Sequence, residues 1–413
     1  MKKTILFLLF VIQLVQAATQ TKDLNYFISE GLENSPLLKE YQNREQRNKL
    51  DSMNIAAKSG FHVMAVSNNS YAPVINGWGY DEVKTDKANV SSLLSVSKEL
   101  TGAQNRRKRY ESIELQNKSA KNAGKISEQD LKKNITDQYI ITYNNEQQYL
   151  FNREMFDLLN KEEIILHQLT QTGTYKQTDY LSFCVNQRNQ KILVQNLKNQ
   201  YEYDYFTLCC LCGIDDTTVY SLSDPELKAQ TISDLSTSVF SRQFELDSLK
   251  ILNAKELVDF DYKPKFSVYA DAGYLSSLAY MPGRNFGASA GFSVNIPIYD
   301  GGQRKIQYKQ LSIDEQDRSN YSNYYKSQYQ QQINNLWKRL KANSELSGQI
   351  TEQITYVQTL MDADHKLLES GDLRISEYLV AISDYLNAKN LLIQNKIEKY
   401  QIINELNYWN RSK

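Results

Sequence analysis

"GASAGFSVNIPIYDGGQRK", residues 287–305, holds two kinds of chain in one short run. Up to Ile298 it alternates. Ala288, Ala290, Phe292, Val294, Ile296 and Ile298 fall on one side, with Gly287, Ser289, Gly291, Ser293, Asn295 and Pro297 on the other. Side chains of a strand point to opposite faces with period 2, so this is a strand with one apolar face and one small, polar face. After Asp300-Gly301-Gly302 the chain turns charged and rich in Gln, Tyr and Lys, and no proline follows.

Proline breaks helix interiors, and all six prolines avoid two long windows, 74–224 and 298–413. In the second window Tyr325, Tyr329, Ile333, Leu336, Leu340, Ile350, Ile354, Val357, Met361 and Leu368 follow alternating steps of three and four, with Asn343, Ser347 and Asp364 filling gaps. Such a seam predicts coiled-coil packing. A helix over 303–370 would be on the order of 100 Å long at ~1.5 Å per residue.

The two windows also read as copies. A shift of 198 residues brings Gly173 onto Gly371, Tyr180 onto Tyr378, Leu181 onto Leu379, Asn189 onto Asn387 and Leu208 onto Leu406. Upstream, "SVSKEL-TGAQ" (95–104) lies against "SVNIPIYDGGQ" (293–303), and Phe61, Val63 and Ala65 against Phe266, Val268 and Ala270. The expected organisation is an internal duplication. A first repeat covers 19–213, a linker 214–235 and a second repeat 236–413. Each repeat runs helix, strand, loop, strand, long helix, turn, helix.

The expected strands are 61–71 and 90–100, then 266–274 and 286–298. Phe61, Val63, Leu94, Val96, Phe266, Val268, Phe292 and Val294 take one face; Ser95, Ser97, Ser267, Asp271, Ser293 and Asn295 take the other. An apolar outer and polar inner face on strands of ~9–11 residues marks a water-filled membrane barrel. Tyr71, Trp78, Tyr80, Tyr269, Tyr274, Tyr280 and Tyr299 cluster at strand ends and loops as an interface girdle would. A soluble sandwich with one wet face fits the alternation too. Four strands cannot close a barrel, and an open edge in lipid leaves backbone groups unsatisfied. Two chains would give eight strands, which side chains fill; three give twelve, which leave a pore.

Composition narrows the function. Lys2-Lys3 followed by "TILFLLFVIQLVQA" predicts a cleaved secretory signal over residues 1–18, too short for a comfortable membrane span. The first cysteine is Cys184, which excludes N-terminal lipidation. With 48 basic and 48 acidic residues, the chain lacks the cationic excess of a nucleic-acid protein. Arg106-Arg107-Lys108-Arg109 reads as the start of a solvated helix. Cys184, Cys209, Cys210 and Cys212 are a poor disulfide framework, because three lie within four residues, and only His62, His167 and His365 could join them around a metal. They read best as small apolar helix residues. There is no GxSxG, HExxH or phosphate-binding loop, and the Asp362/Asp364 pair reads as a solvated helix face. No catalytic residue, metal ligand or cofactor is expected.

Over nearly its whole length after the signal, the chain resembles the TolC family of outer-membrane efflux proteins. The resemblance rests on "LNYFISEGLENSPLLKEYQNREQR" near the start, "FSVNIPIYDGGQRK" at the strand-to-helix junction, and two helix–turn–helix tips, "TGTYKQTDYL" (172–181) and "ESGDLRISEYL" (369–379). It implies an α+β membrane protein in the outer membrane: a trimer whose twelve-stranded β-barrel, four strands per chain, continues into a long α-helical coiled-coil periplasmic tunnel. It further implies a periplasmic adaptor (membrane fusion protein) and an inner-membrane pump of the resistance-nodulation-division or ABC type as partners, and passive conduction in efflux or type I secretion. Two departures stand out. "KELTGAQ" lacks the proline that precedes the glycines at the second junction, so a gentler first junction is expected. At the second tip Val380 stands where the family often has a second acidic residue after Glu377.

Carried onto this chain, the resemblance makes Gly173, Thr178, Gly371, Arg374 and Ser376 adaptor-docking tip residues, and Pro297, Asp300, Gly301 and Gly302 the barrel-to-helix junction. Glu377, with Asp179 as its first-repeat equivalent, would ring the periplasmic entrance; a carboxylate there also simply favours a helix N-terminus. The competing reading is a periplasmic coiled-coil adaptor or structural protein without a membrane barrel.

Overall fold

In the computed structural model the described residues are 21–73, 75–76, 78, 88–216, 218–230, 235, 238–278 and 281–410. The expected signal segment, Tyr80 and Tyr280 lie outside them. In chain order the elements are α1 (Leu24–Asn34), α2 (Pro36–Lys58), β1 (His62–Tyr71), β2 (Ala88–Glu99), α3 (Ala103–Gln171), α4 (Gln177–Cys212), α5 (Val239–Asp261), β3 (Lys265–Ser276), β4 (Phe286–Asn295), α6 (Gln303–Ser370) and α7 (Ile375–Trp409). The order strand, strand, very long helix, shorter helix occurs twice. The proline-free windows hold the two longest helices, of 69 and 68 residues.

The chain divides into two compact units, each drawing on both halves of the sequence. The first contains residues 1–39, 125–239 and 324–413 and is helical. Asp23 caps α1 by accepting from the Tyr26 amide at 2.9 Å. Phe27 of α1 is fully buried among Ile135, Tyr139 and Ile140 of α3 and Tyr205 and Leu208 of α4. Cys209 and Cys212 belong to this core, whereas Cys210 is exposed and Cys184 half-buried. Burial pushes the Cys212 thiol up to about 12, so it packs as a small hydrophobe.

The expected seam of α6 is present. Tyr329, Ile333, Leu336, Ile350, Ile354 and Leu368 are buried, and Leu340, Val357 and Met361 pack beside them. Its polar break is bridged: Asn343 Nδ2 donates to the Asn395 carbonyl at 3.0 Å, and Asn395 Nδ2 donates back to the Asn343 carbonyl at 3.3 Å, while Asn343 Oδ1 is buried without a partner.

The region expected as a linker is tied down as a strap. Leu222 N donates to the buried Glu146 carboxylate at 3.0 Å, and Tyr139 donates to the Ser223 carbonyl at 2.6 Å. Asp224 accepts from Tyr400 and Lys396, both at 2.5 Å. Burial alone would raise the Asp224 carboxyl, but these hydrogen bonds hold it down at about 2.

The second unit contains residues 40–124 and 240–323. Its centre is one antiparallel sheet in the order β1-β2-β3-β4, and among the described residues both edge strands are open. The strand expected over 286–298 ends at Asn295, where Lys265 is its last partner. Pro264 would face Ile296 next and has no N–H to donate, and Pro297 lacks one as well, so the ladder stops there. β2 begins two residues earlier than expected, at Ala88.

Candidate functional site: two helical tips and a two-faced sheet

Both tips end their long helix by the same backbone device. Thr174 N donates to Leu169 O at 2.9 Å and Gly173 N to Thr170 O at 3.1 Å; Asp372 N donates to Leu367 O at 2.9 Å and Gly371 N to Leu368 O at 3.1 Å. This paired closure needs a left-handed residue, and both glycines have φ of +81°. The returning helices start alike. Lys176 and Arg374 occupy the extended N-cap positions and offer no side-chain cap. Sequence reasoning placed Thr178-Asp179 and Ser376-Glu377 at the helix openings. They sit one step further in, exposed within the first turn, where carboxylates favour the exposed amides.

The fold brings the tips together. A Cβ on Gly371 would lie 2.6 Å from Thr174 Cγ2, while one on Gly173 would meet nothing within 4 Å. Tyr175 Oη lies 2.8 Å from the Leu368 carbonyl oxygen and 3.0 Å from that of Leu373, so one hydroxyl serves the whole second turn. Behind the tips, Met155, Leu159, Leu166, Phe183, Leu368, Ile375, Tyr378 and Ile382 form a closed apolar core. Glu162 is buried at its edge, with Oε1 3.2 Å from Nδ1 of His365. Burial is the main cause that raises the Glu162 carboxyl, with His365 acting in the opposite direction. Tyr175 and Glu162 escaped the sequence reading, because their partners lie far along the chain and no local spacing announces them.

In the sheet, residues paired across antiparallel strands share a face. Val63 pairs with Val96, Val96 with Ala270 and Ala270 with Ala290; Ala65 pairs with Leu94, Phe266 with Val294 and Val268 with Phe292. These residues make one apolar face, and Phe292 is 78% exposed on it. The opposite face carries Ser95, Asp271 and Ser289 in one row and Ser267 with Ser293 in another, their hydroxyls 2.6 Å apart. The expected segregation holds for these residues. Other side chains depart from it: Ser67, Asn69, Ser92, Lys98 and Ser276 lie on the apolar face, and Met64, Val66, Leu93 and Leu275 on the polar one.

Tyr269 is a correction. It pairs with Ser97 and Gly291, so strand alternation puts it on the polar face and removes it from any outward girdle. Tyr274 does lie on the apolar face, its ring centroid 5.3 Å from that of Phe286. Tyr71, Trp78 and Tyr299 are all exposed.

At the second junction Asp300 accepts from Gly302 N at 2.8 Å and from Arg304 N at 2.7 Å, closing the start of α6. Those two backbone bonds hold its carboxyl below the usual range. Gly301 and Gly302 are left-handed, at φ +66° and +86°. Pro297 lies in the run between β4 and this turn, where Ile298 is 94% exposed. The first junction is confined to residues 100–102 and uses no left-handed glycine.

No family model and no curated protein matches the chain. Solved structures do. VceC, an outer membrane protein from Vibrio cholerae, superposes with a TM-score of 0.75 at 13% identity, covering 94% of this chain and 96% of that one. The CmeC outer membrane channel of Campylobacter jejuni gives 0.73 at 13%, covering 94% and 85%. The MtrE outer membrane channel of Neisseria gonorrhoeae, in its open state, gives 0.73 at 11%, covering 94% and 88%. The chain has the fold of these outer-membrane channel proteins. Among the described residues no helix is long and apolar enough to cross a membrane.

Proposed function

We propose that this chain belongs to the TolC family and that three copies form an outer-membrane exit duct. The observation that carries the reading is the sheet: four strands, two open edges, one exposed apolar face and one hydroxyl-lined face. An apolar face of this extent left in water is a liability, and the open edges invite more strands. Lipid on one side and neighbouring copies on the edges resolve both. Three chains supply twelve strands, enough for a water-filled lumen lined by the Ser95, Asp271 and Ser289 row.

The long helices from the three copies would continue the lumen as a periplasmic tunnel. A periplasmic adaptor would dock at the Gly173 and Gly371 tips and link the duct to an inner-membrane pump. Glu377, and Asp179 beside it in the repeat, would line the entrance. The internal duplication accounts for the matching tips. No step in this reading is chemical, and the chain acts as a passive conduit.

Purified protein added to a planar bilayer tests it. Discrete ion-conducting steps are expected. Protein that stays folded, remains in detergent-free buffer and never enters the bilayer would favour a periplasmic structural role instead.

A further inference from the structure

The second unit gathers cations at one end of its sheet. Lys98, Arg106, Arg107, Lys108, Arg109 and Lys263 gather where strands meet helices, on a chain whose formal net charge is zero. Two are neutralised locally. Lys108 pairs with Glu256 at 2.6 Å and Glu111 at 2.9 Å, and Arg109 pairs with Asp261 at 3.1 Å. Lys98, Arg106, Arg107 and Lys263 have no ion-pair partner among the described residues.

Their placement is specific. Lys98 pairs across the ladder with Val268, so it stands on the apolar face at its helix-side rim. Its amine lies 4.7 Å from the centroid of the exposed Phe61 ring. Lys263 lies 4.2 Å over the ring of Phe260. Arg107, Lys263 and Phe260 help line an open groove of about 410 Å³ between α3 and α5. Its two carboxylates are already engaged, Glu256 by Lys108 and Asp259 by Arg304. The groove therefore offers free cations beside an aromatic surface. On the apolar face, the opposite rim holds the Tyr274–Phe286 ring pair.

We propose that this helix-side rim binds the headgroups of anionic phospholipids in the periplasmic leaflet of the outer membrane. The apolar face takes the acyl chains, and Lys98, Arg107 and Lys263 take the phosphate. Long cationic side chains lying along aromatic rings suit the boundary between hydrocarbon and headgroup, with apolar stems inward and charges outward. Each cation at an anionic surface contributes about a fivefold preference. The inference rests on the outer-membrane reading above and adds which lipid the barrel selects, and at which rim.

Native mass spectrometry tests it, on protein released from bilayers of phosphatidylethanolamine and phosphatidylglycerol. Phosphatidylglycerol should be retained over phosphatidylethanolamine by about tenfold or more. The combined Lys98→Gln, Arg107→Gln and Lys263→Gln variant should fall to parity. The charge-keeping Lys98→Arg, Arg107→Lys and Lys263→Arg variant should retain the preference, which separates charge from folding. Equal retention of both lipids by the unaltered protein overturns the proposal. So does displacement of the lipid by millimolar inorganic phosphate, which would mark a free-phosphate site. Protein that never enters the bilayer defeats the outer-membrane reading itself and this inference with it.

Discussion

The hydroxyl of Tyr175 lies 3.0 Å from the backbone oxygen of Leu373, the residue that holds Tyr175's own place in the second tip. Its other acceptor, Leu368 O, is also the acceptor that closes the second turn through Gly371 N. The first tip thus braces the second through one side chain. Tyr175→Phe removes the donor and leaves two partly buried carbonyls under-satisfied, at a cost of about 1 kcal/mol. Hydrogen exchange should accelerate at the Gly371 and Asp372 amides while the core of α7 keeps its protection. Unchanged exchange at those amides would remove the bracing role.

The two tip glycines should differ in their response to a side chain. Both sit at φ +81°, where an L-residue is strained by about 1–2 kcal/mol. Only Gly371 also has a neighbour, Thr174 Cγ2, inside contact distance of a new Cβ. Gly371→Ala should therefore cost more than Gly173→Ala in denaturant unfolding. Valine at both positions should abolish export while leaving the assembled protein intact, if the tips dock an adaptor.

The strap predicts an acid response. The Asp224 carboxyl sits at about 2 in the folded chain, against an ordinary 3.8. A depressed carboxyl stabilises the folded state fully above about pH 4, and the contribution is lost as pH falls through 2. Pepsin cleavage within residues 214–230 should rise across that window. Asp224→Asn should be cut readily at pH 4 already, with little further change on acidification.

Glu377 is exposed in the first turn of α7, so its carboxylate is free to act on ions as well as on the helix terminus. Three copies at a narrow mouth would concentrate cations by focusing the field between low-dielectric walls. Glu377→Gln should lower cation-over-anion selectivity in planar bilayers and weaken block by multivalent cations. Unaltered selectivity with the protein still conducting would leave only helix-terminus stabilisation, of about 0.3–1 kcal/mol.

Local pattern carried much of this fold. Period-2 alternation assigned Val63, Leu94, Phe266 and Phe292 to one face, and the three-four seam from Tyr329 to Leu368 marked the buried side of α6. Gly173 and Gly371 announced the turns, because a left-handed position has so few acceptable residues. What stayed hidden depended on pairing between distant segments. The end of β4 at Asn295 was set by Pro264, which immediately precedes the facing strand. The strap through Leu222 and Asp224 looked like a linker because its partners, Tyr143 and Glu146 on α3 and Lys396 on α7, lie far along the chain. Tyr175 and Glu162 offered no spacing at all.

A duct built from four strands per chain requires three chains to share one barrel. The mass of the detergent-extracted protein, with bound detergent subtracted, tests this most directly. The expected value is three mature chains, each somewhat below the 47.8 kDa of the full sequence. A stable particle of one or two chains would contradict it.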